Sequence, residues 1–315
     1  MDGLSSMHSG PCPRVAIITR TKDRPMFLKR AINSVLGQTF EDWQHVIVND
    51  GGAPHDIEAL VAESLTAYRG RVLLIHHPLS RGMEAAANEG IKASSSDYLV
   101  IHDDDDSWAP TFLDRCVAFM EAPPAVLSTP MGGVATYSKK IIEKVVGEKF
   151  IQVASEPFNT WMSAVSLYRM AANNSIPPIS FLFERSALEA VGLYREELPV
   201  LGDWEFHLRF LAQYEIGLIK EELAYYHHRL DVKDGVLGNT VIAQRETHLR
   251  YDQLIRNDLL RRDLALQQVG LGFLVNLAQS FETLNRSLAF FSGFYHRVKG
   301  FRGLRWLYFK VMGSR

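Results

Sequence analysis

From residue 15 to residue 121, short unbroken apolar runs alternate with stretches in which apolar residues recur every three or four positions. The runs at 15–18, 45–48, 72–75 and 98–101 have the length and continuity of strands buried on both faces. Phe27, Leu28, Ala31, Ile32, Val35 and Leu36 form one face of a helix whose first turn can hold Pro25. Further helices are predicted over 56–68, 84–93 and 110–121. This repeated succession predicts an α/β fold, a mostly parallel sheet flanked by helices.

The second half is less regular. Residues 131–178 contain Gly132-Gly133, Asn173-Asn174 and Pro177-Pro178, which read as loops around short strands and helices. A strand is predicted at 179–183 and a short helix at 186–191, ending at Gly192. The segment 201–210 opens a helix with Asp203 at its N-cap or in its first turn. Two strands, 216–219 and 223–226, lead into His227-His228-Arg229, and from about residue 240 the pattern is helical. One such stretch runs through Leu266 and a more apolar one from 269 to about 284.

Composition narrows the picture modestly. A chain of 315 residues with 47% hydrophobic and 22% charged residues can bury a full core. A net charge of -2 gives no general attraction to nucleic acid. Two cysteines, Cys12 and Cys116, without a CxxC pairing, argue against a zinc site and a disulfide framework and fit a reducing, cytoplasmic setting. Residues 1–13 lack the charged start and apolar middle of a secretory signal and read as a flexible lead-in. No apolar run reaches the roughly 18–20 residues of a membrane span. The end of the chain differs: Arg297, Lys299, Arg302, Arg305, Lys310 and Arg315 are interleaved with aromatic residues and no acid from Phe290 onward. Such a tail suits peripheral attachment to an anionic membrane surface, or else a packed helix with a solvated basic edge.

The candidate chemistry is acidic. His102-Asp103-Asp104-Asp105-Asp106 follows the strand at 98–101, and four adjacent carboxylates need solvent or a cation such as Mg2+ or Mn2+ to neutralise them. In an open parallel sheet, ligands bind beyond the carboxyl ends of the strands, a rule that gathers Thr21, Asp23, Asp50 and Asp103 to Asp106 on one rim. Neither GxGxxG after the first strand nor GxxxxGK[ST] occurs, so diphosphate charge must be met in another way.

Three segments, VAIITRTKDRPMFLKRAINSVLGQTFEDWQHVIVNDGG, RGMEAAANEGIKASSSDYLVIHDDDDSW and FLFERSALEAVGLYREELPVLGDWEFHLRF, together resemble the inverting family 2 glycosyltransferases of the GT-A fold. The resemblance spans roughly 14–230 and implies a GT-A domain over 14–235, with a nucleotide-binding half at about 14–107 and an acceptor half at about 108–235. A helical C-terminal region would occupy 236–315. It implies metal-dependent, inverting transfer of a sugar from a UDP, GDP or dTDP sugar to a glycan or lipid-linked glycan acceptor, in surface polysaccharide or lipid-linked glycan assembly. By the resemblance, the rim Arg20-Thr21-Lys22-Asp23-Arg24 and Asp50 hold the nucleoside, Arg81 reaches the diphosphate, and Asp104, assisted by Asp103, faces the ribose. Asp105 and His228, or His227 in its place, hold Mn2+ or Mg2+, with Asp106 leaving the motif register open by one residue. Asp203 is the general base, and Trp204 packs beside the acceptor or in the core. Two departures stand out: Ala87 where many members carry Arg, and Gly202-Asp203 where many read Glu-Asp. Clustered aspartates at strand ends also suit a metal-dependent phosphohydrolase or nucleotidyltransferase, but the first strand is followed by Thr21-Lys22-Asp23 rather than DxD. A catalytically silent carbohydrate-binding scaffold is disfavoured because Asp50, Asp103 to Asp105 and Asp203 are all retained.

Overall fold

A computed structural model describes residues 12–147, 149–229 and 245–300, with side chains through residue 289. Most of the lead-in and the basic segment beyond residue 300 therefore lie outside the described residues.

The chain divides into two compact units, one running to Met170 and resuming over Asn174–Ile255, the other comprising Ala171–Asn173 and the residues from Arg256 onward. The first unit is built on β1 (Val15–Thr21), β2 (Trp43–Asp50), β3 (Val72–His77) and β4 (Tyr98–Ile101), which lie parallel in the order β3-β2-β1-β4. Val15 to Ile18 are fully buried, as expected of a strand covered on both faces. The cover comes from α1 (Pro25–Leu36), α2 (Pro54–Tyr68) and α3 (Met83–Ala93). Pro25 occupies the first turn of α1, and Phe27, Leu28, Ala31, Ile32 and Val35 form its buried face. The short β5 (Ser107–Trp108) and then α4 (Phe112–Glu121) follow.

Beyond β4 the sheet becomes mixed. β6 (Met131–Val146) and β7 (Lys149–Pro157) form a long antiparallel hairpin where the glycines at 132 and 133 had suggested loops. Those glycines serve close approach: a Cβ at Gly132 would lie 2.7 Å from the Tyr214 ring, and one at Gly133 2.7 Å from the Phe181 ring. β8 (Phe181–Glu184) runs antiparallel between β4 and β6. The two strands expected at 216–219 and 223–226 are one strand, β9 (Glu215–Arg229). The polar residues between them form an irregularity in the β6 pairing, where the register moves from Thr136↔Ile219 to Tyr137↔Glu222. The long strand carries His227, His228 and Arg229 to its carboxyl end, where His227 and Arg229 meet Asp106 and Asp105 of the turn after β4. After α5 (Leu167–Ala172) and α6 (Leu188–Val191), α7 (Gly202–Leu211) begins one residue before Asp203.

In the second unit, Arg256 is almost completely buried and donates to the carbonyls of Ala171 (3.0 Å), Ala172 (3.1 Å) and Val275. Asp263 accepts from the backbone N–H groups of Gly270 (3.0 Å) and Phe273 (2.8 Å), opening the helix Leu271–Gly300. No helix among the described residues is long and apolar enough to cross a membrane.

Candidate active site

The four aspartates after β4 do not share one environment. Asp103 Oδ1 accepts from Arg20 Nε at 3.0 Å and Nη2 at 2.5 Å. Asp104, fully buried, accepts from Thr21 Oγ1 at 2.7 Å and from Arg24 Nε at 3.1 Å, with Arg24 Nη2 on its other oxygen. Asp105 Oδ2 accepts from Arg229 Nη2, and Arg24 Nη1 stands 3.6 Å away. Asp106 Oδ1 accepts from the His227 backbone N–H at 2.8 Å. The first three negative charges are thus met by guanidinium groups from the end of β1, the entry to α1 and the end of β9. Sequence reasoning missed Arg20 and Arg229 in this role because their partners lie 83 and 124 residues away in the chain.

These surroundings separate the acids. Desolvation would raise Asp105, but Arg24 and Arg229 hold it below the usual carboxylate range. Desolvation wins at Asp104, raised in spite of Arg24, and at Asp106, where the charges of Asp105 and Asp103 add to it.

Asp203 lies in the first turn of α7, where the helix dipole favours a carboxylate. Asn174 Nδ2 donates to it at 2.6 Å. Its pKa is raised by desolvation, partly offset by the Trp204 backbone N–H and the charge of Arg20. A cleft of about 100 Å³ brings Asp203 together with Arg20, Glu84, Asp103, Asp105 and Tyr226. Trp204 packs in the core and donates to the Met170 carbonyl at 2.7 Å. Glu84 had no sequence signal: it is a buried acid on α3, pushed up to about 7 by desolvation in spite of Arg20. Its carboxyl group fills the space beside Gly202, where the sequence departs from Glu-Asp.

The nucleoside rim is more structural than expected. Asp50 accepts from His77 Nδ1 (2.8 Å), Ser80 Oγ (2.6 Å) and the backbone N–H groups of Arg81 (2.8 Å) and Gly82 (3.0 Å). These bonds, led by that of the Arg81 N–H, lower its pKa against desolvation and pin the loop at 80–82. Asp23 adopts φ 54° and accepts from the Ala53 N–H at 3.1 Å, tying the end of β1 to the turn after β2. Arg81 is exposed and pairs with Glu89 at 3.3 Å.

No group of three or more His, Cys, Asp or Glu side chains among the described residues converges as a metal cluster. A divalent cation that keeps waters and takes substrate phosphate oxygens needs fewer protein ligands, one or two carboxylates. His228 Nε2 is buried without a hydrogen-bond partner, and Asp105 Oδ1 receives no hydrogen bond among the described residues. Those two atoms are of the donor types that such an ion takes. His227 is engaged elsewhere, with Nδ1 at 2.9 Å from Glu143 Oε2 and Nε2 at 2.8 Å from Ser107 Oγ.

Residues 16–190 match the family model described as Glycosyl transferase family 2. An uncharacterized glycosyltransferase of Haemophilus influenzae is 23% identical over 224 residues, 67% of this chain and 66% of that protein. The putative colanic acid biosynthesis glycosyl transferase WcaA of Escherichia coli is 24% identical over 208 residues, 64% of this chain and 67% of that protein. The chain thus spans about two thirds of the length of these relatives. Among solved structures, the mannosyltransferase PcManGT of Pyrobaculum calidifontis, in complex with GDP-Man and Mn2+, superposes with a TM-score of 0.57 at 14% identity, covering 93% of this chain and 82% of that one. TarS 1-349 of S. aureus in complex with UDP gives 0.54 at 15% identity, covering 78% and 65%. At these identities the likenesses establish the fold.

Proposed function

The chain belongs to glycosyl transferase family 2, and from that premise we propose that it transfers a glycosyl group, with inversion, from a nucleotide-diphosphate sugar to an acceptor hydroxyl. The observation that carries this reading is the single cleft shared by Asp203 and the carboxylate turn of Asp103 and Asp105. Asp203 takes the acceptor hydroxyl proton as that oxygen attacks the anomeric carbon from the face opposite the nucleotide. A raised pKa makes it a better proton acceptor than an ordinary aspartate, provided the working pH keeps it ionised.

The donor lies over the rim formed by Thr21, Asp23 and Arg24, with Asp50 acting through the loop it holds at 80–82. Asp103 and Asp104, pinned by arginines, shape the ribose and diphosphate subsite. Asp105 and His228 would hold a Mn2+ or Mg2+, whose chemistry when bound is Lewis-acid stabilisation of the leaving diphosphate. The transferase domain is taken as residues 14–235, with 236–315 as a helical appendage.

The acceptor is a glycan or lipid-linked glycan, and the enzyme works at an anionic membrane surface. Support comes from the helix Leu271–Gly300, on which Phe273, Leu277, Phe281, Leu284 and Leu288 are exposed at intervals of four, four, three and four residues, one apolar stripe. The same stretch of sequence leads into the basic tail, so an apolar contact and an electrostatic one would act together.

Calorimetry with UDP, GDP, dTDP and CMP, each with and without Mn2+, tests the donor class: one base should bind, and only with metal. Metal-independent binding removes the cation, and binding of none removes this donor class. Flotation with phosphatidylglycerol vesicles tests the surface. Phe273→Ser/Phe281→Ser should lose binding that pure phosphatidylcholine never supports, whereas equal recovery of both proteins excludes the stripe.

A further inference from the structure

Glu84 sits in the first turn of α3 and is buried against two other parts of the cleft. On one side its Oε2 lies 3.3 Å from Arg20 Nη1, while Arg20 Nε and Nη2 hold Asp103. On the other side it reaches α7. A Cβ built on Gly202 would lie 2.4 Å from both Cδ and Oε1 of Glu84, so the carboxyl group rests directly on the backbone that precedes Asp203. No side-chain hydrogen bond caps α7, and its N-cap residue, Leu201, holds φ 64°, a left-handed conformation that a leucine adopts only when its surroundings impose it. A carboxylate against the first turn of a helix offsets the positive end of its dipole.

We propose that Glu84 is a positioning residue, its one carboxyl group fixing both Arg20 on the donor side and the α7 turn that aims Asp203 on the acceptor side. Gly202 is the other half of the device, because any side chain there would displace the carboxyl group. The space is also of the right size for exchange. The carboxyl carbon of a glutamate lies roughly 2.5 Å from its own Cβ by standard bond geometry, so Gly202→Glu would bring a carboxyl group to the place that Glu84 now fills. The inference rests on Asp203 as the base of the proposed transfer.

The test compares wild type, Glu84→Ala, Gly202→Ala, the double variant Glu84→Ala/Gly202→Ala, and the exchange variant Glu84→Ala/Gly202→Glu. Turnover is read as nucleoside diphosphate released from UDP-GlcNAc or GDP-mannose with acceptor, nucleotide affinity by calorimetry with UDP or GDP and Mn2+, and folding by thermal melting. Glu84→Ala should lower kcat by about 10–100-fold, the cost of misaiming a reacting group by about an ångström, with a smaller rise in nucleotide Kd, about two- to threefold, because Arg20 keeps its two bonds to Asp103. The exchange variant should recover about tenfold of that loss. Gly202→Ala should melt below wild type but not below Glu84→Ala when combined with it. Undiminished kcat in Glu84→Ala, a loss of nucleotide affinity matching the loss of kcat, or an exchange variant that melts normally without recovery each overturns the inference. Asp203→Asn separates the two levels: if it keeps wild-type turnover the proposed chemistry falls, whereas an inactive Asp203→Asn beside a fully active Glu84→Ala removes only the role of Glu84.

Discussion

Asp105 and Asp203 line the same cleft, yet their surroundings push their proton affinities in opposite directions. Desolvation acts on both and alone would raise both. Around Asp105 it is overcome by Arg24 and Arg229, two cations that keep the carboxylate ionised over the whole working range of pH. Around Asp203 the charge of Arg20 is opposed by that of Asp103, the side-chain bond comes from a neutral amide, and desolvation prevails. The difference follows from which strand ends supply arginines. Two guanidinium groups keep Asp105 anionic on the donor side, a single one leaves Asp104 and Glu84 raised, and Asp203, whose side-chain bond comes from a neutral amide, is the raised carboxylate that the proposed transfer uses.

The sharpest way to break this division is to remove the proton acceptor. Asp203→Asn keeps the shape and the Asn174 contact region but cannot take a proton, so kcat should fall by about 10²–10⁴-fold while calorimetric affinity for the nucleotide stays near wild type. A matching fall in affinity would move Asp203 to the donor side and erase the contrast. On the donor side the expected damage is to the fold. Arg229 is fully buried, with Nη2 on Asp105 and Nη1 3.4 Å from Glu143. Arg229→Met takes one cation from Asp105, which keeps Arg24 at 3.6 Å, and one from Glu143, which keeps Arg30 at 2.8 Å, so stability read by urea unfolding should fall by less than about 3–5 kcal/mol, the cost of a fully broken buried pair. Unchanged stability would mean that Arg24 and Arg30 suffice and that Arg229 adds nothing to the pairing.

Glu84 tests the same principle through pH. Its folded-state value of about 7 stands above the usual 4.5, so the native state holds this proton more tightly than the unfolded chain does. The associated stability is complete below about 4.5 and is lost as pH rises through about 7. Glutamine cannot ionise and is spared that loss. The stability of Glu84→Gln relative to wild type should therefore increase between pH 5 and pH 8, by on the order of 1–3 kcal/mol. Thermal melts across that range check it, and a flat difference would show that Glu84 is ionised throughout.

The parallel half of the fold was readable because its signals are local. The run 98–101 coincides with β4, and the helical face from Phe27 to Val35 is the buried one, since continuous apolar runs and helical spacing depend on neighbours in the chain. The hairpin β6-β7 was not readable. Gly132 and Gly133 carry the same letters whether they make a turn or admit the rings of Tyr214 and Phe181, and only the tertiary partner distinguishes the two. Asp203 and the aspartate turn were legible as acids at element ends, and the cleft does bring them together. Arg229 and Glu84 were not, nor was the pairing of Arg20, itself placed on the rim, with Asp103, because charge pairing across distant elements leaves no periodicity. Asp50 shows the intermediate case: its position at the end of β2 was foreseen, but its bonds to Ser80, Arg81 and Gly82 depend on where a loop some 30 residues onward returns.

The smallest effect is also the most specific to the acceptor side. The amide of Asn174 is the one side-chain hydrogen bond that Asp203 receives among the described residues, and it favours the ionised form. Asn174→Ala therefore raises a pKa that desolvation has already raised, and the proton acceptor is lost at a higher pH. The acid limb of the kcat/KM profile should move upward by about one unit, the equivalent of about 1.4 kcal/mol, with the plateau at high pH nearly unchanged. Thr21→Val is the matched change across the cleft, removing the 2.7 Å hydrogen bond to Asp104. Since Asp104 takes no proton in the reaction, its loss should weaken nucleotide binding and leave the acid limb where it was. If Thr21→Val moves the limb and Asn174→Ala does not, the titrating group is on the donor side, and the opposition between the paired and the unpaired carboxylates has been assigned the wrong way round.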